Sequence, residues 1–350
     1  MTSKINVSEQ GRDDDFGILK KRVSFPGSYT VETPVKCVKN PSSSIINDSS
    51  INEIIKKISP KILESIWDGT DTPSRSIKSR YIDGKINLTI FELMFNKIPN
   101  KDRLKSLASY WYAASQSVLF LPTTSTSMLK ENKEDKKISE KRLLEYVDIL
   151  RYMIETTEAI GNHKAFMGTI PLLAPKFTAP IIKLYLEKGF TAFAIDVNTK
   201  DFLNHESDFR TILTTIGENV SLNKTFIYAC NLGISQFEAH RARADDFLSF
   251  FAYVDAFGST FKTRGGGSSM PSISKPRVKK FLKAELCYEH IYDSRDRMND
   301  FNQCEHVKET TFMRTLIGNE KMKKYLETKK AVDQSALKRL DSIAQKVKIK

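Results

Sequence analysis

The chain has 350 residues, 40% of them apolar and 28% charged, with a formal net charge of +13. That is enough apolar material for one large core or two smaller ones, which excludes disorder of the whole chain, and no run approaches the ~18 apolar residues of a membrane helix. The first ~15 residues are polar and carry neither the apolar stretch of a signal peptide nor the Arg-rich pattern of a transit peptide. Cys37, Cys230, Cys287 and Cys304 form no regular framework, so the expectation is a soluble, cytoplasmic protein with reduced thiols. From Lys262 to Lys350 there are 21 Lys and Arg against 11 Asp and Glu. This basic end predicts an anionic partner such as a phosphate backbone, although a solvated, lysine-rich helical surface accounts for the same excess.

In chain order, Gly27 to Val38 alternates β-branched and polar residues between glycine and proline bounds, which predicts a hairpin or strand closing one end of the fold. Asn40-Pro-Ser-Ser-Ser44 breaks it, and Asp71 to Ser79 reads as a polar turn. Leu104 to Ala114 has helical periodicity, Ser117 to Leu121 reads as a buried strand, and a helix is predicted from Lys141 to Ile160 after the charged stretch that starts at Lys130. A regular alternation follows: strand Lys164–Ile170, helix Pro175–Lys188 ended by Gly189, strand Phe190–Ile195, helix Ser207–Ile216, strand Thr225–Cys230, helix Gln236–Phe251 and strand Tyr253–Phe257.

Strands that alternate with helices and lack hairpin turns are parallel, with the helices packed outside them. The predicted fold class is therefore α/β, a TIM-type (β/α)8 barrel over residues 16–264, preceded by a flexible N-terminus over 1–15. A basic, mainly helical region over 265–350 follows and is able to complete the barrel. An open doubly wound sheet is the other architecture, but no glycine-rich phosphate turn follows a first strand. Gly265-Gly-Gly267 lacks dinucleotide-fingerprint spacing and reads either as a linker or as a phosphate-binding loop. In a barrel, chemistry gathers at strand C-termini, which points to Thr169 to Leu172, Asp196 to Asn198, Asn231 to Gly233 and Asp255 to Arg264.

Three segments carry a family resemblance: Tyr29-Thr-Val-Glu-Thr-Pro34 followed by Val38-Lys-Asn-Pro41, Phe166-Met-Gly-Thr-Ile170 with Phe190-Thr-Ala-Phe-Ala-Ile-Asp-Val197, and Val254-Asp-Ala-Phe-Gly-Ser259 with Thr263-Arg264. Together they resemble the tRNA-guanine transglycosylase family, the queuine and archaeosine tRNA-ribosyltransferases, over most of the chain up to Arg264. The resemblance implies a pentosyltransferase that exchanges guanine for a 7-deazaguanine in tRNA or DNA, with one carboxylate as nucleophile and a second moving the proton. It also implies a dimer, either of this chain with itself or with an active transglycosylase. The family's nucleophilic aspartate falls at Gly258, which has no side chain to attack with. The remaining acidic candidates are Asp255, three residues earlier, and Asp83 in Tyr81-Ile-Asp-Gly-Lys85, where Asp83-Gly84 also reads as a turn. Substrate contacts are expected at Gly168, Asp196, which stands at the family's double glycine, and Gly233.

The family's zinc motif is absent as such, but Cys287-x-x-His290 and Cys304-x-His306 supply four side chains suited to a tetrahedral structural zinc. Small buried cysteines and unrelated surface histidines are the competing account, and His163, His205 and His240 read as structural. Aromatic and basic residues interleave from Phe261 to Lys283, so Lys262, Arg264, Lys275, Arg277, Lys279, Lys280 and Lys283 are the expected nucleic-acid contacts. An amphipathic helix packed through Val278, Phe281 and Leu282 is the competing reading. Three functions follow from these residues: base exchange on nucleic acid, a catalytically silent nucleic-acid-binding or partner subunit, and a barrel enzyme for a small phosphorylated substrate.

Overall fold

The computed structural model describes residues 4–39, 41, 50–95, 98–124, 126–131, 137–235, 240–261, 276–319 and 321–347. It is a mixed α/β structure built around parallel strands. Three N-terminal strands, β1 (Asn6–Arg12), β2 (Leu19–Phe25) and β3 (Tyr29–Glu32), form an antiparallel sheet in that order. The short strands β4 (Val35–Lys36) and β5 (Val38–Lys39), parted by Cys37, then enter two different parallel sheets.

One parallel sheet has the order β5-β6-β7-β9, with β6 (Ile51–Ile58), β7 (Ile86–Leu93) and β9 (Thr123–Thr124). The other runs β4-β14-β12-β11-β10-β8, with β8 (Val118–Phe120), β10 (Ala165–Pro171), β11 (Ala192–Asp196), β12 (Phe226–Cys230) and β14 (Ala256–Phe257). Every residue of β7, β10, β11 and β12 is buried. Helices cover the outer faces of such strands, which is why they read as continuous apolar runs.

Intervening helices are α1 (Pro60–Trp67), α2 (Lys101–Ala114), α3 (Glu140–Ile160), α4 (Pro175–Glu187) and α5 (Glu206–Asn219). Ser59, Asn100 and Ser139 cap α1, α2 and α3 by accepting from the backbone N–H three residues on, which satisfies one otherwise orphaned donor at each start. A Cβ at Gly168 of β10 would lie 2.5 Å from Cδ2 of Tyr185 on α4, so the glycine leaves room for that ring.

Side chains from both parallel sheets fill one inner cluster that includes Val35, Cys37, Ile51, Leu88, Phe120, Met167, Ala194 and Tyr228. Val23, Phe25 and Val31 of the N-terminal sheet join it, with Phe25 edge-on to Phe226 at 5.6 Å, so that sheet covers the end from which the parallel strands start. Lys21 of β2 reaches across and donates to Asp255 Oδ2 at 2.8 Å and to the Thr225 carbonyl at 2.9 Å.

The predicted helices from Leu104, Lys141, Pro175 and Ser207 agree with the structure to within a few residues, as do the strands β8, β10, β11 and β12. The predicted helix from Gln236 to Phe251 is different. Among its described residues the chain forms β13 (Arg241–Arg243), one helical turn α6 (Asp245–Leu248) and a 3-10 turn that ends at left-handed Tyr253, φ 59°. β13 pairs with β16 (Cys287–Tyr292), which pairs with β15 (Arg277–Leu282), so the basic segment after residue 276 is a hairpin rather than an amphipathic helix. The remainder is helical: α7 (Arg295–Leu316), α8 (Met322–Glu327) and α9 (Gln334–Lys346). Among the described residues no helix is long and apolar enough to cross a membrane.

The pair Lys21–Asp255 is fully enclosed, so replacing Lys21 alone leaves a buried carboxylate without its cation. Lys21→Met is expected to lose about 3–5 kcal/mol in urea unfolding, with much of the loss recovered in Lys21→Met/Asp255→Leu.

Candidate functional site

Asp255 does not lie at a strand C-terminus. It precedes β14, with Oδ2 accepting from Lys21 Nζ and from Ile227 N–H, each at 2.8 Å, and its carboxyl is raised chiefly by burial against the pull of Lys21. Asp83 stands exposed in the turn before β7, where Gly84 takes φ 73°. The structure does not bring the two expected catalytic carboxylates together: one is sealed under the N-terminal sheet and the other faces solvent. The reason is register, because both precede their strands whereas the cleft described below follows β4 and β14.

At Gly258, immediately after β14, a Cβ would overlap Glu53 Oε1 and the Tyr228 hydroxyl. Glu53 is fully buried on β6; its Oε1 accepts from the Tyr228 hydroxyl and its Oε2 from Ser259 N–H at 2.8 Å. A carboxylate therefore stands beside position 258, delivered from a strand two hundred residues away in sequence. The sequence carried a signal for it in the acidic residue of Ile51-Asn-Glu-Ile54, which no motif singled out.

Asp196 ends β11 and accepts from Asn198 N–H at 3.1 Å and from Asn231 Nδ2 at 2.9 Å. Asn231, at φ 54°, in turn accepts from Phe261 N–H at 2.9 Å, so Asp196 ties together the loops after β11, β12 and β14. Gly233 donates to the Lys200 carbonyl at 2.7 Å and lines the cleft.

That cleft, about 960 Å3, opens beyond β4 and β14 and is walled by β15, β16 and the first half of α7. Its cations are Lys36, Lys39, Arg277, Lys279 and Arg295, and its acids Asp246, Asp296 and Asp300. On the protein side lies a linked group: the Tyr288 hydroxyl donates to Asp246 Oδ2 at 2.5 Å and meets His306 Nε2 at 3.1 Å. The His306 ring is packed among Phe281, Phe247 and Phe257, with centroids 4.6, 5.2 and 6.3 Å away. Burial, reinforced by the Lys36 ammonium, holds its pKa well below the usual histidine value, so it is neutral. Burial likewise pushes Asp246 up, Tyr288 well up and Lys36 down. Perturbed groups gathered in a cleft mark a candidate site on physical grounds. Of these side chains the sequence points only to His306, as a zinc ligand, and to Arg277 and Lys279, as nucleic-acid contacts.

The expected zinc set is not assembled. Tyr288 turns toward His306, so the preceding Cys287 faces the other side of β16. Cys304 packs against Val38 and Val307, and among the described residues no three His, Cys, Asp or Glu side chains gather as a metal site. Of the expected nucleic-acid contacts, Arg277 and Lys279 are exposed on the cleft wall, Lys280 lies over the Phe301 ring, and Lys283 pairs with Glu305 at 3.6 Å. Lys262, Arg264, Lys275 and the glycine run 265–267 lie outside the described residues.

No protein-family model matches the chain, and no curated protein matches it significantly. Among solved structures it is similar to Bacteroides uniformis beta-glucuronidase 2 covalently bound to cyclophellitol-6-carboxylate aziridine, with a TM-score of 0.36 and 10% identity over 71% of this chain and 34% of that one. The chain thus spans about a third of that protein's length, and likeness at this level identifies neither a family nor a reaction.

Two outcomes test the site. Gly258→Ala is expected to cost about 1–3 kcal/mol in thermal unfolding, because Glu53 and Tyr228 must move, and Gly258→Asp is expected to destabilise further without creating base exchange. Asp245, beside Asp246, has its carboxyl pushed up to about 6, chiefly by burial against the opposing pull of Arg243. The folded value lies above the unfolded one, so the native state holds the extra proton and stability falls as pH rises from about 4 to about 6. Asp245→Asn is expected to flatten that fall, by about 1–3 kcal/mol between the two ends, in urea unfolding followed across pH.

Proposed function

We propose that this chain is a transglycosylase-like (β/α)8 protein whose role is to bind nucleic acid across the basic cleft, with no base exchange through position 258. In this reading the two parallel sheets are parts of one ring of eight staves: β4 with β5, β6, β7, β9 with β8, β10, β11, β12 and β14. The breaks at Cys37 and at 121–122 are local, and the common inner cluster supports a single enclosed core. The observation that carries the functional reading is Gly258, where the space an attacking side chain would need belongs to Glu53 and Tyr228. The cations along the cleft supply the attraction for a phosphate backbone.

Glu53 favours a second reading, base exchange with this glutamate as the nucleophile, since its carboxylate stands where a side chain at 258 would begin. Attack of Glu53 on the sugar C1′ would break the C1′–N9 bond and form a glycosyl ester, with the departing guanine taking its proton from solvent in the cleft. The incoming 7-deazaguanine would then displace the carboxylate, freeing Glu53, and release a proton to solvent.

Anisotropy titrations with tRNA and duplex DNA, together with incorporation of labelled guanine, separate the readings. Binding is expected to weaken as salt rises, and Arg277→Ala/Lys279→Ala to lower the slope of log K against log salt by about 2, roughly one for each phosphate left without its cation. No label is expected in the polymer. Incorporation abolished by Glu53→Gln would establish the second reading, and salt-independent or undetectable binding would sink the first.

A further inference from the structure

Four lysines of the described chain are buried, and three of them have conventional partners. Lys21 meets Asp255, Lys164 donates to the Ser115 carbonyl at 2.7 Å, and Lys329 meets Glu309 at 2.8 Å and the Lys283 carbonyl at 2.7 Å. Lys36 is the exception. Only 4% exposed, it makes no hydrogen bond or ion pair with any described residue; its ammonium lies 4.7 Å from the Phe257 ring centroid. Glu53 and Asp246 attract it through space without bonding it; an ammonium taken out of water with no bonded partner is costly, and this one lines the cleft.

Both neighbouring carboxylates are already engaged: Glu53 accepts from the Tyr228 hydroxyl and from Ser259 N–H. Asp246 accepts from Tyr288 through Oδ2 and from Phe247 N–H through Oδ1 at 3.1 Å. Tyr288 has a single hydroxyl proton, and giving it to Asp246 leaves its oxygen to accept from His306 Nε2–H. The neutral imidazole is then protonated on Nε2, and its Nδ1 is a bare acceptor. That atom has no hydrogen-bond partner and is itself enclosed, so what the floor offers to the cleft is the Lys36 cation. Lys39, Arg277 and Lys279 stand in the same lining. A carboxylate brings one charge on two oxygens, whereas a phosphate monoester or inorganic phosphate brings up to two charges on three or more acceptor oxygens and engages several of these donors at once.

We propose that Lys36 anchors a subsite for a single phosphoryl group on the floor of the cleft, with Lys39, Arg277 and Lys279 around the rim. This subsite stands independently of the nucleic-acid reading, since the phosphoryl group could belong to a strand or to a small ligand.

The test is phosphorus NMR and calorimetric titration of the full chain with inorganic phosphate and with a 5′-mononucleotide, using acetate, which carries a single charge, as the comparison. Saturable phosphate binding is expected, weaker for acetate, and reduced by about tenfold or more in Lys36→Met, whose folding is confirmed by a cooperative melt. Displacement of phosphate by tRNA would assign the group to a strand, and displacement by the mononucleotide alone would assign it to a small ligand. Absence of saturable binding in the wild type, or affinity unchanged in folded Lys36→Met, would overturn the subsite. tRNA binding that survives Lys36→Met would leave the nucleic-acid reading standing by itself.

Discussion

The structure depends on holding polar groups inside a set of parallel strands that are buried on both faces. At the end where the strands begin, this is done by a charge pair: Lys21 crosses from the N-terminal sheet to Asp255, whose carboxylate also accepts from Ile227 N–H. The pair joins segments 234 residues apart. Neither charge reaches water. A buried pair of this kind is weak evidence for stability in itself, but once made it opposes any sliding of the N-terminal sheet, since either partner left alone is strongly unfavourable.

At the opposite end the polar groups are arranged differently. Glu53, Tyr228 and Ser259 satisfy one another beneath Gly258, and Asp196, Asn231 and the Phe261 backbone bind three loops together. Next to these sits the group of Lys36, Asp246, Tyr288 and His306, in which the enclosed imidazole Nδ1 has no partner and the Lys36 ammonium meets the face of Phe257. Satisfied polar networks make a rigid rim. Unsatisfied groups facing a cleft are where a ligand gains most, because its own desolvation is offset by theirs.

Much of the fold was legible where periodicity and position agreed. The run from Ala165 to Cys230 alternates apolar strand with amphipathic helix, and both the order and the boundaries follow from that alternation. Ile51 to Ile58 shows where the rule fails. Isoleucines at 51, 54, 55 and 58 have helical spacing, yet the segment is β6, because pairing with β5 and β7 outweighs local preference and Lys56 finds Asp71, Ser76 and Tyr110 on the helix side. The hairpin of β15 and β16 was obscured in the same way. Arg277-Val-Lys-Lys-Phe-Leu282 has one buried face that suits helix or strand, and only pairing with Cys287 to Tyr292 decides between them.

The sequence by itself determined the α/β class, the alternation in the middle of the chain and the basic character of its end, because these rest on composition and on periodicities of a few residues. It also put Gly258 in view as a place where no side chain could attack. The tertiary structure decided the site. Lys36, Asp246, Tyr288 and His306 come from a strand end, a single helical turn, a hairpin and a long helix. Their protonation states follow from mutual burial, which no local pattern of residues encodes. Asp255, conspicuous in the sequence, became a structural anchor for the same reason: burial and a partner more than two hundred residues away define its chemistry.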